Sequence, residues 1–174
     1  MSRRVMAAVA GVGAVVAVAG CGHSGGSPRA AAPTSSAPVQ AEPGASVGQC
    51  GSETDADLSA RTGLAGLRLV ARNPLRCSWE ADGAGDYSVV FEWFRGSPLD
   101  QRRTEVTLGP PTTVQVAGHP GIVWTGTRAC EIAVGSGGAD FIDWKITASS
   151  ANDQRPQPCS TLEQLAATTL AKAG

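Results

Sequence analysis

Alternation of apolar and polar residues along several stretches is the feature that most limits the fold of this chain. A period of two places successive side chains on opposite faces of an extended strand, so the pattern predicts strands that are buried on one face. The apolar positions of six predicted strands are Leu75, Cys77 and Trp79; Tyr87, Val89, Phe91 and Trp93; Val114 and Val116; Ile122 and Trp124; Cys130, Ile132 and Val134; and Ile142, Trp144 and Ile146. Turns predicted at residues 82–85, 118–121 and 135–138 connect neighbouring strands in an antiparallel arrangement.

Helices are predicted where a Ser or Thr is followed three residues later by an acidic residue, the spacing of a capping box. The motif occurs at Thr54 and Asp57, at Ser97 and Asp100, and at Ser160 and Glu163. Apolar residues at helical spacing follow the last motif and form a stripe that must pack on the sheet. The predicted fold is therefore α+β: a six-stranded, mostly antiparallel sheet with a C-terminal helix and two short helices, near residues 55–65 and 97–103, packed on it.

The N-terminus has the pattern of a lipoprotein signal. Arg3 and Arg4 precede fifteen uncharged small or apolar residues, and Gly20 and Cys21 then end a lipobox-like stretch, which predicts acylation of Cys21. Acylation also explains the odd number of cysteines, because it leaves an even number for disulfides. We therefore expect a leader at 1–20, an acylated cysteine with a Pro-, Ser-, Ala- and Gly-rich tether at 21–46, and one domain at 47–174.

The remaining cysteines are Cys50, Cys77, Cys130 and Cys159. Four cysteines allow three connectivities. We favour Cys50 with Cys77 and Cys130 with Cys159, because each pair would join a predicted helix start to a strand within one contiguous segment. Two disulfides suit the extracytoplasmic face of a bacterial membrane, where the lipid anchor would hold the domain.

Several functional classes find no support in the sequence. Without Arg3 and Arg4, 12 of the 14 basic residues remain against 15 acidic ones, and no basic stripe occurs, which argues against nucleic-acid binding and electrostatic membrane binding. The domain has a single histidine, His119. The sequence pattern places no second metal-ligating group beside it, which argues against a zinc site. No phosphate-binding loop, dinucleotide fingerprint or C-x-x-C motif is found. We expect no catalytic residue, no metal and no cofactor.

A candidate groove is predicted on the second face of the sheet. The positions opposite to the assigned core still carry the apolar residues Val90, Phe94, Val123 and Phe141. If the two short helices do not cover them fully, an acyl chain or an apolar side chain of a partner could bind there. We therefore expect a binding module for an apolar, envelope-derived ligand or for a protein partner. The alternative is a structural or sensory accessory lipoprotein without a small-molecule ligand.

The order of motifs resembles a family of actinobacterial cell-envelope lipoproteins, several from mycobacteria, known as a domain of unknown function. The residues that carry the resemblance are Cys50; Cys77 and Trp79; Val114, Val116, Gly118 and Pro120; Cys130, Ile132 and Val134; and Cys159, Leu162 and Leu165. The resemblance covers nearly the whole mature domain. It implies an envelope location and a four-cysteine fold, and it implies no common activity.

Overall fold

The protein is described by a computed structural model for residues 44–81, 87–105, 107–149 and 159–174. The predicted leader, Cys21, nearly all of the predicted tether and the predicted turn at 82–85 lie outside these residues. A short 3-10 turn, Gln49–Ser52, comes first. The helices are α1 (Asp55–Thr62), α2 (Leu99–Arg103) and α3 (Cys159–Ala171), and the strands are β1 (Leu67–Arg72), β2 (Arg76–Ala81), β3 (Tyr87–Phe94), β4 (Thr112–Val116), β5 (His119–Thr125), β6 (Ala129–Gly137) and β7 (Asp140–Ala148).

The strands form one antiparallel sheet in the order β1-β2-β3-β7-β6-β5-β4. The predicted α+β class and antiparallel sheet are confirmed, but the count of six strands is wrong because β1 is a seventh. It is an edge strand whose second half is exposed, and its register with β2 shifts between Leu69 and Ala71. The bulge interrupts the period-two pattern that identified the other strands.

The first face of the sheet holds the main core under α1 and α3. Directly opposed residues of an antiparallel pair share a face, and those of this face include Phe91 opposite Trp144 and Trp144 opposite Ile132. Helix α3 buries Leu162 and Leu165 in this core. The predicted apolar stripe of the C-terminal helix therefore packs on the sheet, as expected.

One of the three predicted capping boxes forms. The amide of Asp57 donates to Oγ1 of Thr54 at 3.1 Å, and the Thr54 amide donates to the Asp57 carboxylate at 3.3 Å. The other two predictions are wrong. Pro98, rather than Ser97, precedes α2 and makes no side-chain cap, and Ser160 lies inside α3 because this helix begins at Cys159. The Cys159 disulfide fixes that start covalently.

The two disulfides join Cys50 to Cys77 and Cys130 to Cys159, which is the pairing favoured from the sequence. The first attaches the 3-10 turn to β2, and the second attaches the start of α3 to β6. Sequence separations of 27 and 29 residues make the closed loops nearly equal in length. Both bonds therefore hold the peripheral helical segments against the same face of the sheet.

The backbone of Gly51 lies very close to the ring of Trp144, beside the first disulfide. Gly51 has a φ of +65°, and a Cβ atom added there would be 2.8 Å from Cζ2 of Trp144. Trp144 is fully buried, stacks on Trp79 with ring centroids 5.9 Å apart and donates from Nε1 to Oγ1 of Thr169 at 3.1 Å. A side chain at position 51 would therefore need both a left-handed backbone and space that the core does not have.

The reversal between β4 and β5 is shorter than the predicted turn at 118–121. Only Ala117 and Gly118 form it, with φ of +52° and +84°, the signs expected for the type I′ turns that connect hairpins. His119 and Pro120 belong to β5, with His119 opposite Val116. His119 is thus a strand residue at the edge of the hairpin.

Candidate functional site

The side chains of strand β5 point to the opposite faces of the sheet from those predicted. Val123 lies opposite Ile132 and belongs to the main core, whereas Ile122 lies opposite Ala133 on the second face. Trp124 is therefore also on the second face, where it is fully buried. The placement of Val123 in the second-face groove is wrong. The error arose because Ile122, Val123 and Trp124 are all apolar, so that the residues themselves do not fix which face is which.

The second face is partly covered by α2 and by the segment that follows it. A small apolar cluster here contains Ile122, Trp124, Ala133 and Phe141, with Phe94, Leu99 and Leu108 packed around it. Helix α2 has only five residues, and none of them is fully buried. Its attachment to the sheet therefore depends on a few side chains, among them Arg102.

Arg102 enters a cluster of buried carboxylates. Its Nε and Nη2 donate to Oδ2 of Asp143 at 3.2 and 3.1 Å, its Nη2 also donates to Glu131, and its Nη1 donates to Glu105. Lys145 reaches the second oxygen of Glu131 at 3.0 Å. The side chains of Glu131 and Asp143 are 1% and 4% exposed. We call these five residues the charge network.

The arginine also lies over aromatic rings. Its Cζ is 5.4 Å from the ring centroid of Trp124 and 5.7 Å from that of Phe94, within the range of cation–π attraction. One side chain thus pairs with buried Glu131, donates to Asp143 and packs on the apolar cluster. This dual role explains how so short a helix stays on the sheet.

Burial, and after it the nearby charge of Glu131, raise the pKa of Asp143 from 3.8 to about 8 against the opposing effect of Arg102. Asp143 consequently keeps its proton at mildly acidic pH, where an ordinary aspartate is ionised. With Asp143 neutral, the charge network holds two cations and two carboxylates. Above pH 8 it gains one negative charge.

A small cavity lies beside the charge network, between α2 and the ends of β3 and β7. Its volume is about 130 Å³, and its wall includes Phe94 and Phe141, whose rings stack at 4.5 Å between centroids. The other lining residues are Ser97, Pro98, Gln101, Arg102 and Glu105. Phe94 and Phe141 of the predicted groove therefore come together. Val90 shares their face but does not line the cavity, since it lies between Ser78 and Lys145 in a more polar part of the sheet.

The size of the cavity limits what it can hold. Pockets for drug-sized ligands usually measure about 300–1,000 Å³, so this cavity has room for part of a small molecule or for one side chain. Its rim offers the Glu105 carboxylate, whose side chain is 58% exposed. An aromatic floor beside the Arg102–Glu105 ion pair suits a group that is apolar along its length and polar at its end.

The charge network was not predicted, although the sequence contains a signal for it. Glu131 and Asp143 each stand between two buried apolar residues in strands that are otherwise rich in buried positions. Carboxylates are rarely buried unless they are paired, so two of them in such strands indicate a buried cation. The position of Arg102 in a five-residue helix gave no comparable indication. Among the described residues, no group of three His, Cys, Asp or Glu side chains could hold a metal ion.

Comparison with known proteins finds a family model that matches most of the chain. Residues 16–172 match a family described as "Protein of unknown function (DUF3558)". The chain belongs to the DUF3558 family. It is similar to proteins named "Putative lipoprotein LprB": 31% identical over 95% of both chains for the one from Mycobacterium bovis, and 31% identical over 85% of this chain and 82% of the relative for the one from Mycobacterium leprae.

The DUF3558 match spans both disulfides and every described strand. No solved structure matches the chain. None of the helices in the described residues is long and apolar enough to cross a membrane. The resemblance predicted from the motifs is thereby confirmed as membership of the family. The relatives are named as lipoproteins, which is relevant to where the protein is located.

Proposed function

We propose that this DUF3558 protein is an envelope lipoprotein held at the extracytoplasmic face of the cell membrane by acylated Cys21. The lipobox-like sequence before Cys21, the basic start of the leader and the lipoprotein names of the LprB relatives support the proposal. Two disulfides in the domain fit an oxidising compartment.

At the membrane, the domain acts as a binding module for a protein partner rather than as an enzyme. The observation that supports this role is the cavity beside α2, which joins a stacked pair of phenylalanines to an exposed carboxylate. Its volume of about 130 Å³ is too small for most of an acyl chain and suits one inserted side chain of a partner. Of the two expected ligand classes, the protein partner is therefore favoured over the envelope lipid.

A second candidate role is that of an accessory lipoprotein without a small-molecule ligand. The charge network favours it, because Arg102 fastens α2 over the apolar cluster and most of Phe141 is covered. In that case the cavity is a packing defect under a structural helix. The two roles differ in whether anything outside the chain reaches the cavity.

Site-specific photo-crosslinking in living cells tests the proposal. Gln101 lines the cavity and is exposed, so a benzophenone amino acid introduced there lies at its entrance. Gln164 is a matched control, because it is an exposed glutamine on α3, which covers the opposite face. We expect a discrete protein adduct from position 101 and not from position 164. The additional change Ser97→Phe should abolish the adduct by filling the cavity.

Three results would contradict the partner role. Equal adducts from both positions would indicate random collision, and an adduct with the mass of a lipid would indicate that an acyl chain enters after all. Absence of any adduct at position 101, in protein that is correctly folded and fractionates with membranes, would favour the accessory role.

A further inference from the structure

The β1–β2 hairpin combines positive charge with exposed apolar surface. Residues 64–79 contain three arginines, at 68, 72 and 76, and no acidic residue, although the chain as a whole is slightly acidic. The same stretch supplies both exposed large hydrophobic side chains of the described residues, Val70 at 42% and Leu75 at 46%. The hairpin is therefore locally basic, whereas the sequence as a whole predicted no basic stripe.

Trp93 extends this surface onto the neighbouring strand. Its amide donates to the carbonyl of Leu75 at 2.8 Å, which places the two residues side by side at one end of the sheet. Trp93 is only partly buried, whereas Trp79, Trp124 and Trp144 are at most 1% exposed. Arg95 lies over the Trp93 ring, with its Cζ 4.7 Å from the centroid. The Trp93 ring thus keeps some accessible surface at this end of the sheet, although its Nε1 is buried.

The arginines keep their outer surfaces in water. Arg72 is exposed; Arg76 and Arg95 have side chains 55% and 49% exposed, with partners Glu92 at 3.2 Å and Asp140 at 3.6 Å. The side chain of Asp140 is only 4% exposed, so the positive group of its pair is the outer one. We call the surface formed by Arg72, Leu75, Arg76, Trp93 and Arg95 the arginine tip.

The chain enters the domain at the same end of the sheet. A Cβ atom added to Gly44 would be 2.6 Å from the carbonyl oxygen of Gly137, so Gly44 packs on the end of β6. Gly137 lies opposite Asp140, which accepts from the amide of Gly96 at 2.8 Å, just beyond β3 and Trp93. The residues that precede Gly44, with the expected anchor at Cys21, therefore join the domain beside the arginine tip.

We propose that the arginine tip is a membrane-contacting surface that binds anionic phospholipid headgroups. Arg72 and the outward guanidinium groups of Arg76 and Arg95, which each keep one carboxylate partner, provide charge complementary to phosphate. Leu75 and the partly exposed ring of Trp93 provide apolar surface for the interface. The chain enters the domain at this end, so an anchor at Cys21 would be attached on the side of the tip. The cavity beside α2 lies at the same end of the sheet but is lined by different residues, so variants of the tip test this proposal separately from the partner role.

Fluorescence of the acylated, full-length mature protein in vesicles tests this surface. The vesicles contain phosphatidylcholine with or without phosphatidylglycerol, and a share of the lipids carries bromine near the headgroup end of the acyl chain. We expect bromine to quench part of the tryptophan emission only when phosphatidylglycerol is present. The quenched part should disappear in Trp93→Phe, because the other three described tryptophans are buried, and it should shrink in Leu75→Ser.

A partition measurement separates the tip from the anchor. In the mature chain with Cys21→Ser, Arg72→Ser should lower the partition coefficient into phosphatidylglycerol vesicles about fivefold, the effect of one arginine near an anionic surface. Arg128→Ser is the matched control, because Arg128 is exposed at the opposite end of the sheet, where its carbonyl accepts from Ala148. High salt should remove the difference between the two variants.

The proposal is overturned if bromine quenching is absent or survives in Trp93→Phe. It is also overturned if Arg128→Ser weakens partition as much as Arg72→Ser, since the effect would then reflect overall charge. Equal partition into vesicles with and without phosphatidylglycerol would likewise exclude recognition of anionic headgroups. Circular dichroism of each variant confirms that the fold is retained.

Discussion

Replacing Arg102 by methionine removes the cation from the charge network and keeps an apolar stem over Trp124 and Phe94. Glu131, with a side chain 1% exposed, would then keep only Lys145 as a charged partner. Breaking a buried ion pair on one side costs about 3–5 kcal/mol. Asp143 avoids much of this cost because its pKa of about 8 lets it hold a proton. We therefore expect a loss of about 3 kcal/mol, at the lower end of that range.

Urea unfolding at pH 6, followed both by tryptophan emission and by far-ultraviolet circular dichroism, measures the loss. Two signals are needed because Trp124 lies under Arg102 and reports local changes. Lys145→Met is the comparison: its side chain is 35% exposed, so its ion pair with Glu131 should contribute no more than about 1 kcal/mol.

A triple variant distinguishes electrostatics from lost packing. With Arg102→Met, Glu131→Met and Asp143→Leu together, no buried carboxylate of the network remains unpaired. The free energy of unfolding should return to within about 1 kcal/mol of the wild-type value, because buried ion pairs replaced by apolar groups are often neutral for stability. A triple variant as unstable as Arg102→Met, or a loss below about 0.5 kcal/mol in the single variant, would refute the reasoning.

Three further predictions concern other parts of the chain. The free energy of unfolding should fall as pH rises from about 4 to about 8, because native Asp143 keeps a proton that the unfolded chain releases. Urea titrations at several pH values should show a flatter decline for Asp143→Asn than for the wild type. Gly51→Ala should destabilise the domain by at least 2 kcal/mol more than Gly63→Ala in thermal unfolding, since both glycines have positive φ but only Gly51 meets Trp144; equal losses would show that the backbone alone matters. Cys21→Ser should release the protein from membranes after a high-salt wash, because the two-signal lipid anchor is lost, and retention would contradict acylation at this cysteine.

The sequence was sufficient for the parts of the fold in which one face of a strand is buried and the other is wet. In β2 and β3, buried Cys77, Trp79, Val89 and Phe91 alternate with more exposed residues, so the period of two identified both strands and their core face. The same signal failed in β1, where only Leu67 is buried and a bulge follows Leu69. An exposed edge strand has little apolar pattern to detect.

Strand β5 shows the opposite limitation. Ile122, Val123 and Trp124 are all buried because the first face lies on the core and the second lies under α2. A strand covered on both sides reads as a continuous apolar run, and its facing cannot be assigned from that run alone. The prediction chose the wrong facing and therefore placed Trp124 in the main core and Val123 on the second face.

The charged residues on the second face could not be predicted from the pattern of apolar residues. Phe94 and Phe141 were expected there from their parity, but the boundary of the cavity is set by Arg102 and Glu105, which come from α2 and the residues after it. Arg102 can be placed there only because Glu131 provides buried negative charge and Asp143, on the neighbouring strand, accepts two of its N–H groups. A cation and two carboxylates that are far apart in sequence thus determine whether α2 closes the face. Any partner that competes with Arg102 for Glu105, the most exposed of the three carboxylates, would approach the cavity from this side.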